Sequence, residues 1–463
     1  MFSVNVRWQG KIYKVDVDPE DTGLNFKQKL YSQTRVAPDR QKIIIRGGQL
    51  KNDTVMKDSG LKPNSTVMMM GTIGDVSAIP VPVQMDIPDN EDMEDVKYPS
   101  GLVNLGNTCY MNATLQLLKA IPEVESVALK NTNSSILLRE LLSLFQSMKP
   151  NASITPYKFL QVLRMQYPQF GEKNDHGGYA QQDAEECWSY LLSILRQAGP
   201  WANKNMVLGM HSSMTCDEDS TESATETDDE FVNISCHISM HTSYMTQGIL
   251  EGLTQQITKR SEKLGRDAKY TKVSRISRLP KYIAVNFVRF YWKQSIGKKA
   301  KILRKVKFPF ELDAVEFCTP ELAQKLVPVR DQFREFSKFK DECERAHKRS
   351  KIEATEQEKE QEEEDLATRV AVCQSLVSPD LADDEGASKC GLYDLIGVLS
   401  HAGASANSGH YQAWIRNPEN KKEWFQFNDD KITVVDQDRI ESLDGGGESD
   451  SAYILLYRTK ELQ

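Results

Sequence analysis

The chain has 463 residues, a formal net charge of −8, and 39 % hydrophobic and 27 % charged residues. That apolar fraction can fill a large core, which excludes global disorder, and the length allows two or three domains. No apolar run approaches the roughly 18 residues of a spanning helix. The N-terminus lacks a signal-peptide core, and the mild acidity argues against a nucleic-acid binder. A cytoplasmic location, extending to the nucleus, is the expectation. The charge is uneven. Residues 1–72 hold 12 Lys+Arg and 7 Asp+Glu, a net of +5 that leaves −13 for the remainder. Two modules with different partners are implied.

Residues 2–8 and 11–17 alternate apolar and polar and read as strands joined at Gln9-Gly10. Thr22 stands where a helix cap belongs, and Leu24, Phe26, Lys27, Leu30 and Tyr31 follow at helical spacing until Pro38. Ile43 to Ile45 and Val67 to Met70 supply two more strands. This is a β-grasp order. With Thr22, Pro38-Asp39, Gln41, Ile44, Gly47 and Gln49-Leu50 in place, residues 1–72 resemble ubiquitin. The chain runs past Gly71-Thr72 without a Gly-Gly end. The resemblance therefore implies a ubiquitin-like domain that docks rather than one that is conjugated. In the ubiquitin register Ile44, Met68 and Met70 project outward beside Lys42 and Arg46, as a docking patch. Were they core residues instead, Ile43 and Ile45 would be the exposed pair.

Residues 73–98 are Pro-rich and acidic, the composition of a flexible linker. Folded character resumes over 99–463, with 108–196 mainly helical. From Cys390 onward come antiparallel strands at Ile396–Leu399, Tyr411–Ile415, Trp424–Phe427, Ile432–Val435 and Tyr453–Tyr457. The class is α+β. Two interruptions stand out. Residues 217–230 hold eight acids and are expected to form a mobile loop. The Lys/Glu-dense stretch 331–365 reads as a surface insert, either a solvated helix or disordered.

Eight cysteines are scattered without a CxxC pair, so neither a disulfide framework nor a thiolate metal site is expected. Cys109 differs from the rest. It follows Asn104-Leu-Gly-Asn-Thr and opens an amphipathic helix with Leu115, Leu117, Leu118 and Ile121. The positive end of a helix favours thiolate there. His410 follows Ser408-Gly409 at the mouth of a strand, and Asn428 lies 18 residues on, across a turn at Asn417-Pro418. If those strands pair, Asn428 comes beside His410. Cysteine, histidine and an orienting amide then make a papain-type triad.

The boxes Gly101 to Asn112, Gln181-Gln-Asp-Ala-Glu-Glu, Leu279-Pro-Lys-Tyr with Arg289-Phe290, Gly409-His-Tyr, and Trp424 to Asp429 resemble those of the ubiquitin-specific proteases. They occur in family order over 101–457. The ubiquitin-like domain and Cys318-Thr-Pro-Glu-Leu point to the proteasome-associated branch. The resemblance implies a papain-like domain of thumb, palm and fingers, and a deubiquitinase acting on ubiquitin and its conjugates. It further implies docking on the 26S proteasome regulatory particle, where binding would activate the enzyme. Cys109 would be the nucleophile, His410 the acid–base group and Asn428 its orienter. Asp429 would share that last role, and Asn104 would be an oxyanion donor. Gln182 and Asp183 would hold ubiquitin's C-terminal tail, although Asp183 also suits a helix N-cap. Relatives carry zinc-binding CxxC pairs in the fingers. Here Cys216 and Cys236 stand singly, so no metal and no cofactor are expected. Segments Phe290–Lys301, with Trp292, and Gly403–Ser408, with Ser405 and Ser408, are the candidate loops occluding the tail channel. The competing reading is a non-catalytic ubiquitin receptor that modulates the proteasome.

Overall fold

The computed structural model describes most of residues 2–70. There it omits 9–10, 18, 20, 35, 37–40, 46–47, 52–53, 60 and 62–64. It describes all of 98–461 except 132–134, 175–176, 294–297, 350–355, 406–407 and 448. The expected linker 73–98 lies almost wholly outside the described residues. Contacts group the chain into two compact units, Met1–Glu94 and Asp95–Gln463.

In the first unit, alternation makes the strands. β1 (Phe2–Trp8) buries Val4, Val6 and Trp8, and β2 (Lys11–Val17) buries Val15 and Val17. Helix α1 (Gly23–Thr34) lays Phe26 and Leu30, one turn apart, on that face. Each such side chain stabilises the fold by about 2 kcal/mol. Gln41 pins the helix end, its Nε2 donating to the carbonyls of Lys27 (2.8 Å) and Val36 (2.7 Å). The sheet is completed by β3 (Lys42–Ile45), β4 (Gly48–Gln49) and β5 (Thr66–Met70), in the order β2-β1-β5-β3-β4 with β5 parallel to β1. The period of two settles which apolar residues face out. Ile43 and Met69 are 0 % and 2 % exposed, whereas Ile44, Met68 and Met70 are 42 %, 55 % and 51 % exposed.

The second unit sets a helical layer against a sheet. Helices α2 (Cys109–Lys119), α3 (Glu123–Lys130), α4 (Ile136–Ser147), α5 (Tyr157–Gln166) and α6 (Ala184–Ala198) share one core with the inner face of the sheet. A four-stranded arm contains β6 (Leu208–Cys216), β7 (Thr225–Phe231), β9 (Thr254–Arg260) and β10 (Asp267–Arg278), ordered β9-β10-β6-β7. The central sheet takes β8 (Ile234–Cys236), β11 (Tyr282–Phe287), β14 (Leu392–Ser405), β15 (Ser408–Arg416), β16 (Glu423–Asn428), β17 (Lys431–Asp436) and β18 (Ser451–Thr459). Their order is β8-β11-β18-β14-β15-β16-β17. Between them, β12 (Phe290–Lys293) and β13 (Lys298–Lys301) form a separate hairpin.

One expectation changes and one is narrowed. The acidic stretch 217–230 is not a loop throughout: Thr225–Phe231 is strand β7, paired with β6 from Met214↔Thr225 to Leu208↔Phe231. All seven of its residues are exposed, and a strand open on both faces needs no apolar alternation. The residues before it are also tied down. Glu218 pairs with Arg266 at 2.7 Å, and Glu222 accepts from the Tyr270 and Ser261 hydroxyls at 2.7 Å each. The 331–365 insert is helical where described, within α7 (Pro320–Arg349) and α8 (Glu356–Ser375). Val329, Phe333 and Phe336 form a buried stripe on α7 at helical spacing.

Candidate active site

Cys109 is the first residue of α2, at the helix's positive end. Ten of that helix's eleven residues are buried, Leu115, Leu117 and Leu118 completely, so the sulfur rides on an immobile element. The turn before it is stitched by side chains. Asn104 Oδ1 accepts from the Gly106 N–H (2.9 Å) and the Thr108 N–H (3.3 Å), and Thr108 Oγ1 accepts from the Leu105 N–H (2.8 Å).

His410 arrives from the other half of the unit. It is the third residue of β15, the strand on which α2 packs. β15 pairs antiparallel with β16 (Ala413↔Phe427), which carries Asn428 at its end. His410 Nε2 lies 2.7 Å from Asn428 Oδ1. The amide oxygen fixes the tautomer with hydrogen on Nε2 and leaves Nδ1 for the sulfur. The hydrogen bond to Cys109 is the largest cause that raises the His410 pKa to about 9, with smaller contributions from Asn428 and the Asp429 charge against the pull of burial. The ring is thus a stronger base than a free imidazole, placed to take the Cys109 proton.

Asp429 does not share the orienting bond. Its Oδ2 is 4.0 Å from His410 Nε2, and it accepts instead from Asn104 Nδ2 at 3.0 Å. Oδ1 accepts from Asn112 Nδ2 at 2.8 Å. The backbone of Asp429 is left-handed, φ +55°, a conformation Asp tolerates better than most residues. The twist sends consecutive side chains to different partners, Asn428 to the base and Asp429 to the segment before the nucleophile. The two segments also touch through backbone. The Leu102 N–H donates to the Asp429 carbonyl (3.0 Å), and a Cβ on Gly101 would sit 2.4 Å from the Asp430 carbonyl oxygen. Only glycine fits at 101. Asn112 was not singled out in the sequence reading. Its signal was there, three residues after Cys109 on the same helical face.

Asp183 is the N-cap of α6, accepting from the Glu185 N–H (2.9 Å), and it also accepts from the Tyr453 hydroxyl (2.8 Å). Gln182 beside it is half-buried. Tyr453 packs with Phe290 (centroids 5.2 Å) and Tyr411 (6.1 Å), an aromatic group joining Asp183 to the strand of His410. Both candidate occluding segments are β-hairpins. Trp292 pairs through its backbone with Lys299, and its side chain lies outside the described residues. Ser405 pairs with the exposed Ser408 across a tip, residues 406–407, that also lies outside them. Cys216 packs with Ala268 and Tyr270, and Cys236 is fully buried on β8, in a different sheet.

The sequence profile of the ubiquitin carboxyl-terminal hydrolases matches residues 100–457, and that of the ubiquitin family matches residues 4–73. The chain belongs to the ubiquitin carboxyl-terminal hydrolases. Among its relatives, ubiquitin carboxyl-terminal hydrolase 6 of Schizosaccharomyces pombe is 60 % identical over all of both chains. Ubiquitin carboxyl-terminal hydrolase 7 of Arabidopsis thaliana is 37 % identical over 99 % of each. Ubiquitin carboxyl-terminal hydrolase 14 of Caenorhabditis elegans is 34 % identical over 99 % of this chain and 94 % of its own. This hydrolase is therefore a cysteine-type deubiquitinase carrying a ubiquitin-like domain, with the α+β architecture read from its sequence.

Proposed function

We propose that this hydrolase cleaves the isopeptide bond after ubiquitin's C-terminal glycine while docked on the 26S proteasome through its ubiquitin-like domain, in the cytoplasm and the nucleus. The observation that carries the chemistry is His410 held between Cys109 and Asn428 with its pKa raised to about 9. Transfer of the Cys109 proton to His410 leaves a thiolate. Attack on the glycine carbonyl places negative charge on its oxygen. Asn104, fixed by Asp429 and its own turn, is the side-chain donor on that side of the site, and such a donor is worth about 3 kcal/mol. His410 then gives its proton to the departing lysine amine, leaving a thioester. Water attacks the thioester as His410 takes one of the water's protons. Ubiquitin leaves with a free carboxylate, and the thiolate is restored.

Gln182 and Asp183 would receive ubiquitin's extended basic tail, a reading supported by an Asp183 carboxylate already ordered by Tyr453. The docking half of the proposal rests on the exposed patch Ile44, Met68 and Met70, beside the exposed Lys42, in a domain of net charge +5. The deciding experiment is hydrolysis of ubiquitin-aminocoumarin with and without ubiquitin-free 26S proteasomes. Turnover should rise on adding proteasomes, and Cys109→Ala should be silent in both. Full activity of the free enzyme, unchanged by proteasomes, would refute activation by docking.

A further inference from the structure

The hairpin β12–β13 closes on the pair Phe290↔Lys301, and both residues seize the same residue of β14. Lys301 is 7 % exposed, and its Nζ donates to the His401 carbonyl at 2.5 Å. Phe290 meets the His401 ring edge-on, centroids 5.2 Å apart at 86°. His401 in turn underlies the second hairpin. It pairs with Tyr411, whose ring centroid is 4.6 Å from its own, and the next pair is Ala402↔His410. A Cβ on Gly409 would lie 2.6 Å from His401 Nε2 and 2.2 Å from the Ala402 carbonyl oxygen. The Gly409 backbone therefore rests directly on the imidazole, and His410 is the following residue.

His401 is fully buried, and neither ring nitrogen has a hydrogen-bond partner among the described residues. Burial and the Lys301 charge push its pKa down to about 3, so the ring is a neutral spacer and not a second base. An unpaired buried polar group is costly, and so is a buried ammonium. An apolar filler would avoid both. The Lys301 charge also reaches Asp450, which is bonded to Ser400 and Gln412.

We propose that Lys301 is a positioning residue: its bond to the His401 carbonyl locks the 290–301 hairpin to the base of the 401–410 hairpin, so that the two shift together and set the place of His410. This rests on the reading of His410 as the acid–base group. The structural coupling can be read without it.

The test uses the full-length protein with Lys301→Met, which keeps the apolar stem, and Lys301→Arg, which keeps a charged donor. In Lys301→Met, kcat on ubiquitin-aminocoumarin should fall about 10- to 100-fold with KM nearly unchanged, since a displacement near 1 Å has effects of that order. Amide hydrogen exchange should quicken in both hairpins, including 401–409, where no residue was altered. Lys301→Arg should recover most of kcat. A raised KM at unchanged kcat, faster exchange in 290–301 alone, or equal loss in Lys301→Arg would each overturn the proposal. Phe290→Leu, which removes the ring contact and leaves the bond, should loosen both hairpins in the same way and serves if Lys301→Met does not fold. Activity surviving in Cys109→Ala would sink the hydrolytic reading of the site while leaving the exchange result intact.

Discussion

Cys109 heads a helix with ten of eleven residues buried, whereas His410 follows a hairpin that turns on Gly403 and Gly409, at φ +117° and +143°. The nucleophile shares its core with Leu115, Leu117 and Leu118 and cannot shift without disturbing the whole helical layer. The base is held by fewer and more separable contacts: the bond to Asn428, the floor made by His401 and the Lys301 bond beyond it. An enzyme whose substrate is a folded protein with an extended tail can keep its attacking atom fixed and adjust the side that must admit the tail. Asp429 bridges the two, standing in the base's sequence and holding the nucleophile's turn through Asn104 and Asn112.

This contrast can be broken in stages. The largest effect is expected from Cys109→Ala, which should lower kcat by about 10⁴-fold or more while the domain still folds. Any appreciable turnover would move the nucleophile elsewhere. On the adjustable side, Asn428→Ala frees the imidazole and should reduce kcat about 10³-fold, with Asn428→Asp restoring most of it. At the bridge, Asn104→Ala and Asp429→Ala should each lower kcat about 10²-fold. The double variant should be little worse than either alone if Asp429 acts chiefly through Asn104; additive losses would assign its effect to the Asn112 bond or to its charge near His410.

A smaller effect concerns pH. The folded His410 pKa of about 9 exceeds the ordinary 6.5, and its first cause is Cys109. The contribution of this pair to stability is therefore full below 6.5 and is lost as pH rises through about 9. An NMR titration of His410 should find its pKa lowered in Cys109→Ala. A pKa unmoved by that substitution would mean that Asn428 and Asp429 hold the cation instead. The smallest effect tests whether the fixed-versus-adjustable division reaches the first domain. Ile43→Ala should destabilise it by about 2–4 kcal/mol. Ile44→Ala, one residue away on the open face, should change stability by less than about 0.5 kcal/mol yet weaken stimulation by proteasomes.

Much of this arrangement was legible because periodicity and order are local or strictly sequential. Val4, Val6 and Trp8 alternate, Phe26 and Leu30 lie one turn apart, and Cys109, His410 and Asn428 stand in the order of a known family on elements that their neighbours predict. What escaped depends on single torsions and distant packing. The left-handed φ of Asp429 turns an expected second orienter into a bridge, and no composition signals that torsion. Lys301 escaped for the opposite reason, since a lysine among lysines reads as solvated surface whereas this one is buried. Strand β7 escaped because an acidic, serine- and threonine-rich stretch lacks the apolar alternation by which strands are recognised.

That strand has a consequence for how copies of the molecule behave together. β7 forms one edge of its sheet, with a line of backbone groups facing outward and no further strand beyond it among the described residues. An open edge is a template for another strand. Here it carries Glu226, Asp228, Asp229 and Glu230 on seven exposed residues, so two copies meeting edge to edge would press four carboxylates against four. The acidic run should thereby oppose the edge-to-edge stacking that a neutral edge would permit. The protection should weaken in strong salt or acid, the conditions in which that repulsion fades.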